Sequence, residues 1–139
     1  MRISTKFSVA VHTLILVSVS PEPCSSAWIA GSVNTNPVVI RRIVSLLQKA
    51  SLMSGSQGKS GYTLMRDPST ITLLDVYKAV SVTEADMLFS IHENPNIKCP
   101  VGASIQFLLE SVIEDAQSAM ETVLSAVTIE NLINKMQQA

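Results

Sequence analysis

The sequence predicts a mainly α-helical fold with one small β-hairpin and a long C-terminal helix. Hydrophobic residues make up 47% of the 139 residues but aromatic residues only 4%, which favours an aliphatic core between packed helices. Apolar positions recur every three or four residues along most of the chain, which is the helical period. That period is lost in a glycine-rich segment at 52–64, and the longest periodic segment follows residue 100.

The first predicted helix begins after Ser4 and Thr5, which are both good N-cap residues. Its second half is apolar nearly all round, so we expect a buried helix with His12 as a core histidine. Prolines within 20–23 end it, because each lacks an amide donor and restricts the residue before it. Cys24 follows in this proline-rich segment and is interpreted as a loop residue.

Two shorter helices are predicted next, separated by a turn at 34–36. Ser25 or Ser26 can cap the first, and Pro37 opens the second, where its missing amide costs nothing. The second helix has an inward apolar stripe formed by Val39, Ile40, Ile43, Val44, Leu46 and Leu47. Its other face carries Val38, Arg41, Arg42, Ser45 and Lys49. A short helix, a tight turn and a second helix with exposed basic residues are the parts of a helix-turn-helix.

A hairpin is predicted directly after this motif. Three glycines flank Lys59 between 52 and 64, and the residues 62–64 are typical of a strand. A hairpin with a basic tip in this position is a wing, so the predicted fold is a winged helix-turn-helix. Thr72 and Asp75 have the spacing of a capping box, which opens a further helix.

The last part of the chain predicts an extended contact surface. Seven apolar residues fall three or four apart, namely Ile105, Leu109, Val112, Ala116, Met120, Val123 and Val127. They describe a helix of more than about six turns whose apolar edge one small domain covers poorly. We expect that edge to pack on the same helix of a second subunit, giving a homodimer through residues 101–127; packing on the first helix can cover part of it. Thr128 then caps a short terminal helix.

These patterns divide the chain into a winged helix-turn-helix at 1–82, a regulatory loop at 83–100, and a dimerisation helix with a terminal helix at 101–139. Charge follows a similar division. Residues 1–70 carry seven basic and two acidic residues, a net +5, and the remainder carries three basic and nine acidic residues, a net −6. This asymmetry favours a phosphate-facing first half, with chance scatter of surface charge as the alternative.

The predicted partner is double-stranded DNA. Thr35 and Asn36 lie at the start of the basic helix, where free amides and the helix dipole favour a phosphate. Val38, Arg41 and Arg42 point outward from its first two turns. An arginine can bond a guanine edge and Val38 can contact a thymine methyl group. The alternative for each arginine is a solvated helix face.

Three further DNA contacts are predicted. Lys59 at the wing tip is a candidate for a phosphate or the minor groove. Lys6 and Ser4 at the start of the first helix are candidates for the DNA backbone.

Several segments resemble the Rrf2 family of bacterial winged-helix regulators. They are STKF at 4–7, IA and NTNPVVIRR within 29–42, the glycine-rich wing, and above all DPSTITLLDV at 67–76. The segment IHENPN with CPVG, within 91–102, is similar to a YwnA-like branch, and the resemblance covers essentially the whole chain. It implies a homodimer that exchanges contacts through a long C-terminal helix and represses transcription from imperfect palindromes. It also implies that Val38, Arg41 and Arg42 read base edges.

Several members of that family hold an iron–sulfur cluster through three closely spaced cysteines before the dimerisation helix. This chain has only Cys99 there, and a thiolate-bound cluster needs three or four cysteines, so we expect no cofactor. His92 with Cys99 could begin a metal site, with Glu93 nearby, but two lone ligands are a weak signal, so no metal is predicted. Cys99 is instead a candidate redox sensor, because a position before a helix N-terminus can lower a thiol pKa.

No catalytic residue is predicted, since the sequence contains no GxSxG, HExxH, GxGxxG or Walker motif. The alternative to a DNA-binding regulator is a helix-turn-helix that contacts only proteins. The apolar run at 9–19 is interrupted by polar residues and too short to span a bilayer, and no signal-peptide cleavage pattern follows it. We therefore expect a cytoplasmic protein with reduced cysteines and no membrane contact.

Overall fold

The computed structural model describes residues 5–56, 61–82, 89 and 91–138. Within these ranges the chain forms six α-helices, two β-strands and a short 3₁₀ helix at Pro68–Thr70. The helices are α1 (Lys6–Val19), α2 (Ser26–Val33), α3 (Pro37–Lys49), α4 (Leu73–Val80), α5 (Pro100–Ser125) and α6 (Ile129–Gln137), and the strands are β1 (Met53–Gly55) and β2 (Tyr62–Leu64). The predicted mainly helical fold with a hairpin wing is confirmed. No helix in this part of the chain combines the length and apolarity that crossing a membrane requires.

One aliphatic core joins α1, α2, α3, α4 and α6. Its largest fully buried side chains include Leu14, Ile29, Ile40, Leu47 and Ile71. Ile129 of α6 is also fully buried in this cluster, and Ile133 is nearly so. The terminal helix therefore packs with the winged helix-turn-helix, although it lies after the long helix in sequence.

A backbone junction fixes α6 in this position. Segments 71–73 and 127–129 run antiparallel, and their two hydrogen bonds, Leu73 N–H to the Val127 carbonyl and Ile129 N–H to the Ile71 carbonyl, are both 2.9 Å long. The central residues, Thr72 and Thr128, each open a helix with a reciprocal capping box. The capping predicted at both threonines is confirmed, and α4 and α6 begin side by side.

Two residues lie elsewhere than predicted. His12 is exposed, and its Nε2 atom lies 2.9 Å from Ser32 Oγ on α2, so the prediction of a core histidine is wrong. Cys24 is buried in the core rather than lying in a simple loop. Its backbone exchanges two hydrogen bonds with Tyr62, of 3.1 and 2.7 Å, which add one residue pair beside β2. This pairing carries the thiol inward.

Candidate nucleic-acid interface

The turn between α2 and α3 sets where the basic helix starts. Asn34 has a left-handed φ of 66° and ends α2. The side-chain Oδ1 of Asn36 accepts the Val39 N–H at 3.1 Å and caps α3, whose first residue is Pro37. The predicted helix-turn-helix is therefore formed. Because Asn36 already binds the Val39 amide, this helix end offers fewer free amides to a phosphate than the sequence suggested.

Helix α3 separates an inward apolar face from an outward basic face. Its buried residues are Ile40, Ile43, Val44 and Leu47. On the outward face Val38 is 47% exposed, Arg42, Ser45 and Lys49 are exposed, and Arg41 is half-buried. Val38, Arg42, Ser45 and Lys49 follow one another at steps of three or four residues, and Arg41 lies beside Arg42, so these side chains form one continuous strip along the helix.

A shallow groove of about 610 Å³ runs along this strip. It is lined by Lys6 of α1, by Val38, Arg41, Arg42, Ile43, Ser45 and Leu46 of α3, and by Val82 after α4. Three cations therefore meet at one surface, and none of its described lining residues is acidic. A surface of this charge attracts phosphates, while its apolar and hydroxyl groups are small enough to approach base edges.

Four of the predicted DNA contacts thus lie around one groove. Thr35 and Asn36 lie beside it, directly before α3, where Thr35 is half-buried and Asn36 exposed. Ser4 and Lys59 lie outside the described residues.

The wing lies next to α3. Strands β1 and β2 are antiparallel, with Gly55 opposite Tyr62. Gly55 has a φ of 111°, and a Cβ atom there would lie 2.2 Å from the carbonyl oxygen of Gly61. Gly61 has a φ of 65°, and its Cβ would lie 2.9 Å from the Cys24 backbone. Glycine is therefore required at the last residue of β1 and at the residue directly before β2.

Two side chains in or near the wing, Gln48 and Arg66, make polar contacts that sequence reasoning did not find. The side chain of Gln48, on α3, donates from Nε2 to the Gly55 carbonyl at 2.9 Å. After β2, Arg66 lies 3.6 Å from the Asp75 carboxylate and also donates to the Thr70 carbonyl. Both contacts join different elements, so no local spacing in the sequence indicates them.

Helix α5 has a different character, since none of its 26 residues is buried. The residues of the predicted apolar edge differ in exposure. Ala116 and Met120 are half-buried, whereas Val112 and Val123 are 60% and 64% exposed. The exposed Val101, Leu108, Val112 and Val123 fall on one side of the helix, which we call the exposed α5 face.

Cys99 is exposed and occupies the N-cap position of α5. The backbone N–H groups of Gly102 and Val101 lower the pKa of its thiol. The preceding turn packs closely, because a Cβ at Gly102 would lie 2.1 Å from the carbonyl oxygen of Asn96. His92 is exposed, and the described residues contain no group of three His, Cys, Asp or Glu side chains that could hold a metal ion.

Sequence comparison decides the family to which this arrangement belongs. The profile of Rrf2, described as iron-dependent transcriptional regulator, matches residues 3–135. The chain belongs to the Rrf2 family. It is 46% identical over 134 residues to YwnA of Bacillus subtilis strain 168, a candidate HTH-type transcriptional regulator, covering 96% of this chain and 98% of YwnA. Both the Rrf2 profile and YwnA are described as transcriptional regulators, so this chain is a transcriptional regulator and not an enzyme.

Two solved structures share the fold of this chain. A crystal structure of a candidate DNA-binding protein is 41% identical, with a TM-score of 0.73, and the match covers 92% of this chain and 98% of that one. CymR, the global cysteine regulator of B. subtilis, has a TM-score of 0.68 at 23% identity, covering 96% and 97%. At that identity the second match shows the fold alone.

The iron dependence in the Rrf2 description does not fit the residues of this chain. The sequence has two cysteines, and Cys24 is buried with its backbone paired to Tyr62. Only Cys99 is exposed, whereas a thiolate-bound cluster needs three or four cysteine ligands. That this chain binds no iron–sulfur cluster stays a prediction.

Proposed function

We propose that this Rrf2 regulator is a repressor that binds imperfectly palindromic duplex DNA as a homodimer. The observation that carries the proposal is the groove along α3, where Lys6, Arg41 and Arg42 converge beside the exposed Val38. Cations neutralise phosphates, and helix side chains of this size fit the major groove of B-DNA. Occupying a promoter in this way excludes RNA polymerase.

Each residue of the groove has a separate role in this proposal. Arg42, exposed in the second turn of α3, donates two hydrogen bonds to a guanine edge. Arg41 is half-buried and reaches a base or phosphate from the side of the helix. Val38 contacts a thymine methyl group, and Lys6 contacts the DNA backbone.

The palindrome follows from a two-fold axis through the exposed α5 face. A symmetric pair of α5 helices covers an apolar surface that one protomer leaves in water. The two α3 helices then enter successive major grooves about 34–36 Å apart, which is one turn of DNA.

Alanine at Arg41 or Arg42 tests this function. Duplexes selected by the wild-type protein from a random pool serve as the probe. Each substitution should weaken binding about 5- to 150-fold, because a bidentate arginine–guanine contact contributes about 1–3 kcal/mol. The matched control is Lys78→Ala, which removes an exposed cation from α4. Unchanged duplex affinity in both arginine variants, with no salt dependence in the wild type, contradicts the proposal and favours a module that contacts only proteins.

We further propose that Cys99 makes DNA release responsive to peroxide. Its exposure and lowered pKa favour the thiolate, which is the nucleophile. The thiolate sulfur attacks one peroxide oxygen, the O–O bond breaks, the sulfur becomes a sulfenic acid, and the other oxygen leaves as hydroxide, which takes a proton from solvent to become water. Cys99 belongs to the same turn, since its N–H donates to the Asn96 carbonyl at 3.2 Å, and that carbonyl is packed closely against Gly102.

Cys99→Ser tests this response directly. Hydrogen peroxide should release the wild-type protein from selected duplexes and leave the variant bound, and dithiothreitol should restore the wild type. Equal release of both proteins by peroxide overturns the proposal.

A further inference from the structure

The strongest unassigned contact joins the basic helix to the wing. Gln48 lies near the end of α3, and its Nε2 donates to the carbonyl of Gly55, the last residue of β1, at 2.9 Å. Gln48 does not line the groove, and its amide faces the hairpin rather than the basic strip. Its role is therefore separate from direct DNA contact.

The wing is also attached to the rest of the chain through its backbone. Each strand has three residues, and β2 is attached by its backbone to Cys24. β1 ends at Gly55, which has no side chain with which to attach itself, and a Cβ there would collide with Gly61. The side chain of Gln48 supplies the contact that Gly55 cannot.

We propose that Gln48 is a positioning residue that sets the wing against α3, so that wing and helix bind the duplex as one unit. The inference deepens the proposed function and rests on it. Glutamine suits this role because its amide donates to a carbonyl while remaining neutral beside DNA phosphates. An arginine or lysine here would be drawn to the phosphates instead.

The contact also determines on which side of α3 the wing lies. Gln48 follows Arg41 by seven residues, so both side chains lie along the same edge of the helix. Seven residues span roughly 10 Å of helix axis, which corresponds to about three base pairs of DNA. The wing should therefore bind the flank next to the bases contacted by Arg41.

The variant Gln48→Met tests this role, because methionine is similar in length and has no N–H donor. Gln137→Met on α6 is the matched control, since that glutamine is exposed at the far end of the chain. Hydroxyl-radical footprints are recorded on duplexes selected by the wild type. Gln48→Met should lose protection in the outer flanks and keep it at the centre, with an affinity about tenfold lower. Retained flank protection, or a uniform loss across the site, overturns the inference.

A second measurement needs no DNA. Hydrogen exchange of the Ser56 amide, which donates to the Gly61 carbonyl at 3.2 Å, reports on the hairpin in the free protein. Gln48→Met should accelerate it by at least about threefold, and an unchanged rate contradicts the anchoring role.

The two proposals fail in distinguishable ways. If the wild type selects no duplex, or if Arg41→Ala and Arg42→Ala both bind as well as a wild type whose affinity is independent of salt, the proposed function fails and the wing-placing role fails with it. If Arg42→Ala loses binding while Gln48→Met retains the wild-type protection of the DNA flanks and the wild-type exchange rate of the Ser56 amide, only the positioning role is wrong.

Discussion

Helices α3 and α5 are both amphipathic in sequence, but their burial differs completely. Helix α3 has 13 residues and buries four of them in the core of its own protomer. Helix α5 has 26 residues and buries none. The apolar face of α3 is complete within one chain, whereas the exposed α5 face leaves Leu108 and Val112 more than half exposed. The apolar residues of α3 are therefore packed within one chain, whereas the described residues leave the exposed α5 face uncovered.

The two helices also differ in charge. The outward face of α3 carries Arg41, Arg42 and Lys49, whereas α5 carries four acidic residues and no basic one. An acidic helix is repelled by DNA phosphates, so α5 is suited to a position away from the duplex.

The largest effect is expected from charging the exposed α5 face. The double variant Leu108→Asp with Val112→Asp places two carboxylates where we expect the partner helix. Sedimentation equilibrium should show a monomer, and duplex affinity should fall at least about 100-fold, because the linkage between two half-site contacts is lost. Ser118→Asp, which adds a carboxylate elsewhere on α5, is the control.

Circular dichroism separates this result from unfolding. Because both side chains are exposed in the protomer, the helical signal should persist. If the double variant is still a dimer in sedimentation equilibrium, the interface lies elsewhere on the chain.

A smaller effect tests whether α6, which follows α5 in sequence, belongs to the core that contains α3. Ile129 follows α5 in sequence yet is fully buried with the core of α3. Ile129→Ala should lower the free energy of unfolding by about 2–5 kcal/mol, the usual cost of a large-to-small change in a core. Met136→Ala on the exposed side of the same helix should cost less than about 0.5 kcal/mol. Urea unfolding at one protein concentration measures both free energies of unfolding. If the two variants lose equally little, α6 does not contribute to this core.

The smallest effect concerns the start of α5. Because the N–H groups of Gly102 and Val101 lower the pKa of the Cys99 thiol, its thiolate persists to lower pH than in an unperturbed cysteine. The rate of alkylation by iodoacetamide should therefore rise with a midpoint at lower pH than that of an unperturbed cysteine thiol in a short peptide measured alongside. Cys99→Ser should react negligibly, since Cys24 is buried. A midpoint at or above the ordinary value removes the basis for the proposed peroxide response.

Local chemistry made much of the fold predictable. Pro37 and the threonines at 72 and 128 mark helix starts through contacts within three residues, and all three mark helix starts in the structure. The long helix followed from its apolar period, although it begins one residue earlier than the assigned dimerisation segment, at Pro100. Contacts of this range depend only on neighbouring residues, so the sequence contains them directly.

What escaped prediction depends on distant residues or on helix phase. Cys24 is buried because it pairs with Tyr62, 38 positions later, and Gln48 reaches a strand of the wing. His12 was misplaced although the period alone locates it. At 100° per residue it lies opposite the buried Ala10 and Leu14. Of the candidate site, the basic strip on α3 was predictable, and the part played by Lys6 in the same groove became apparent only from the packing of α1 against α3.

The antiparallel junction at 71–73 and 127–129 fixes the C-terminal end of the long helix to the core. The first turn of this helix, beside Cys99, lies at the opposite end from the hydrogen bonds of the junction. A helix of 26 residues is about 39 Å long. A tilt of roughly 10° about the junction would shift the first turn by about 7 Å, so a small rotation at the junction becomes a larger displacement near Cys99.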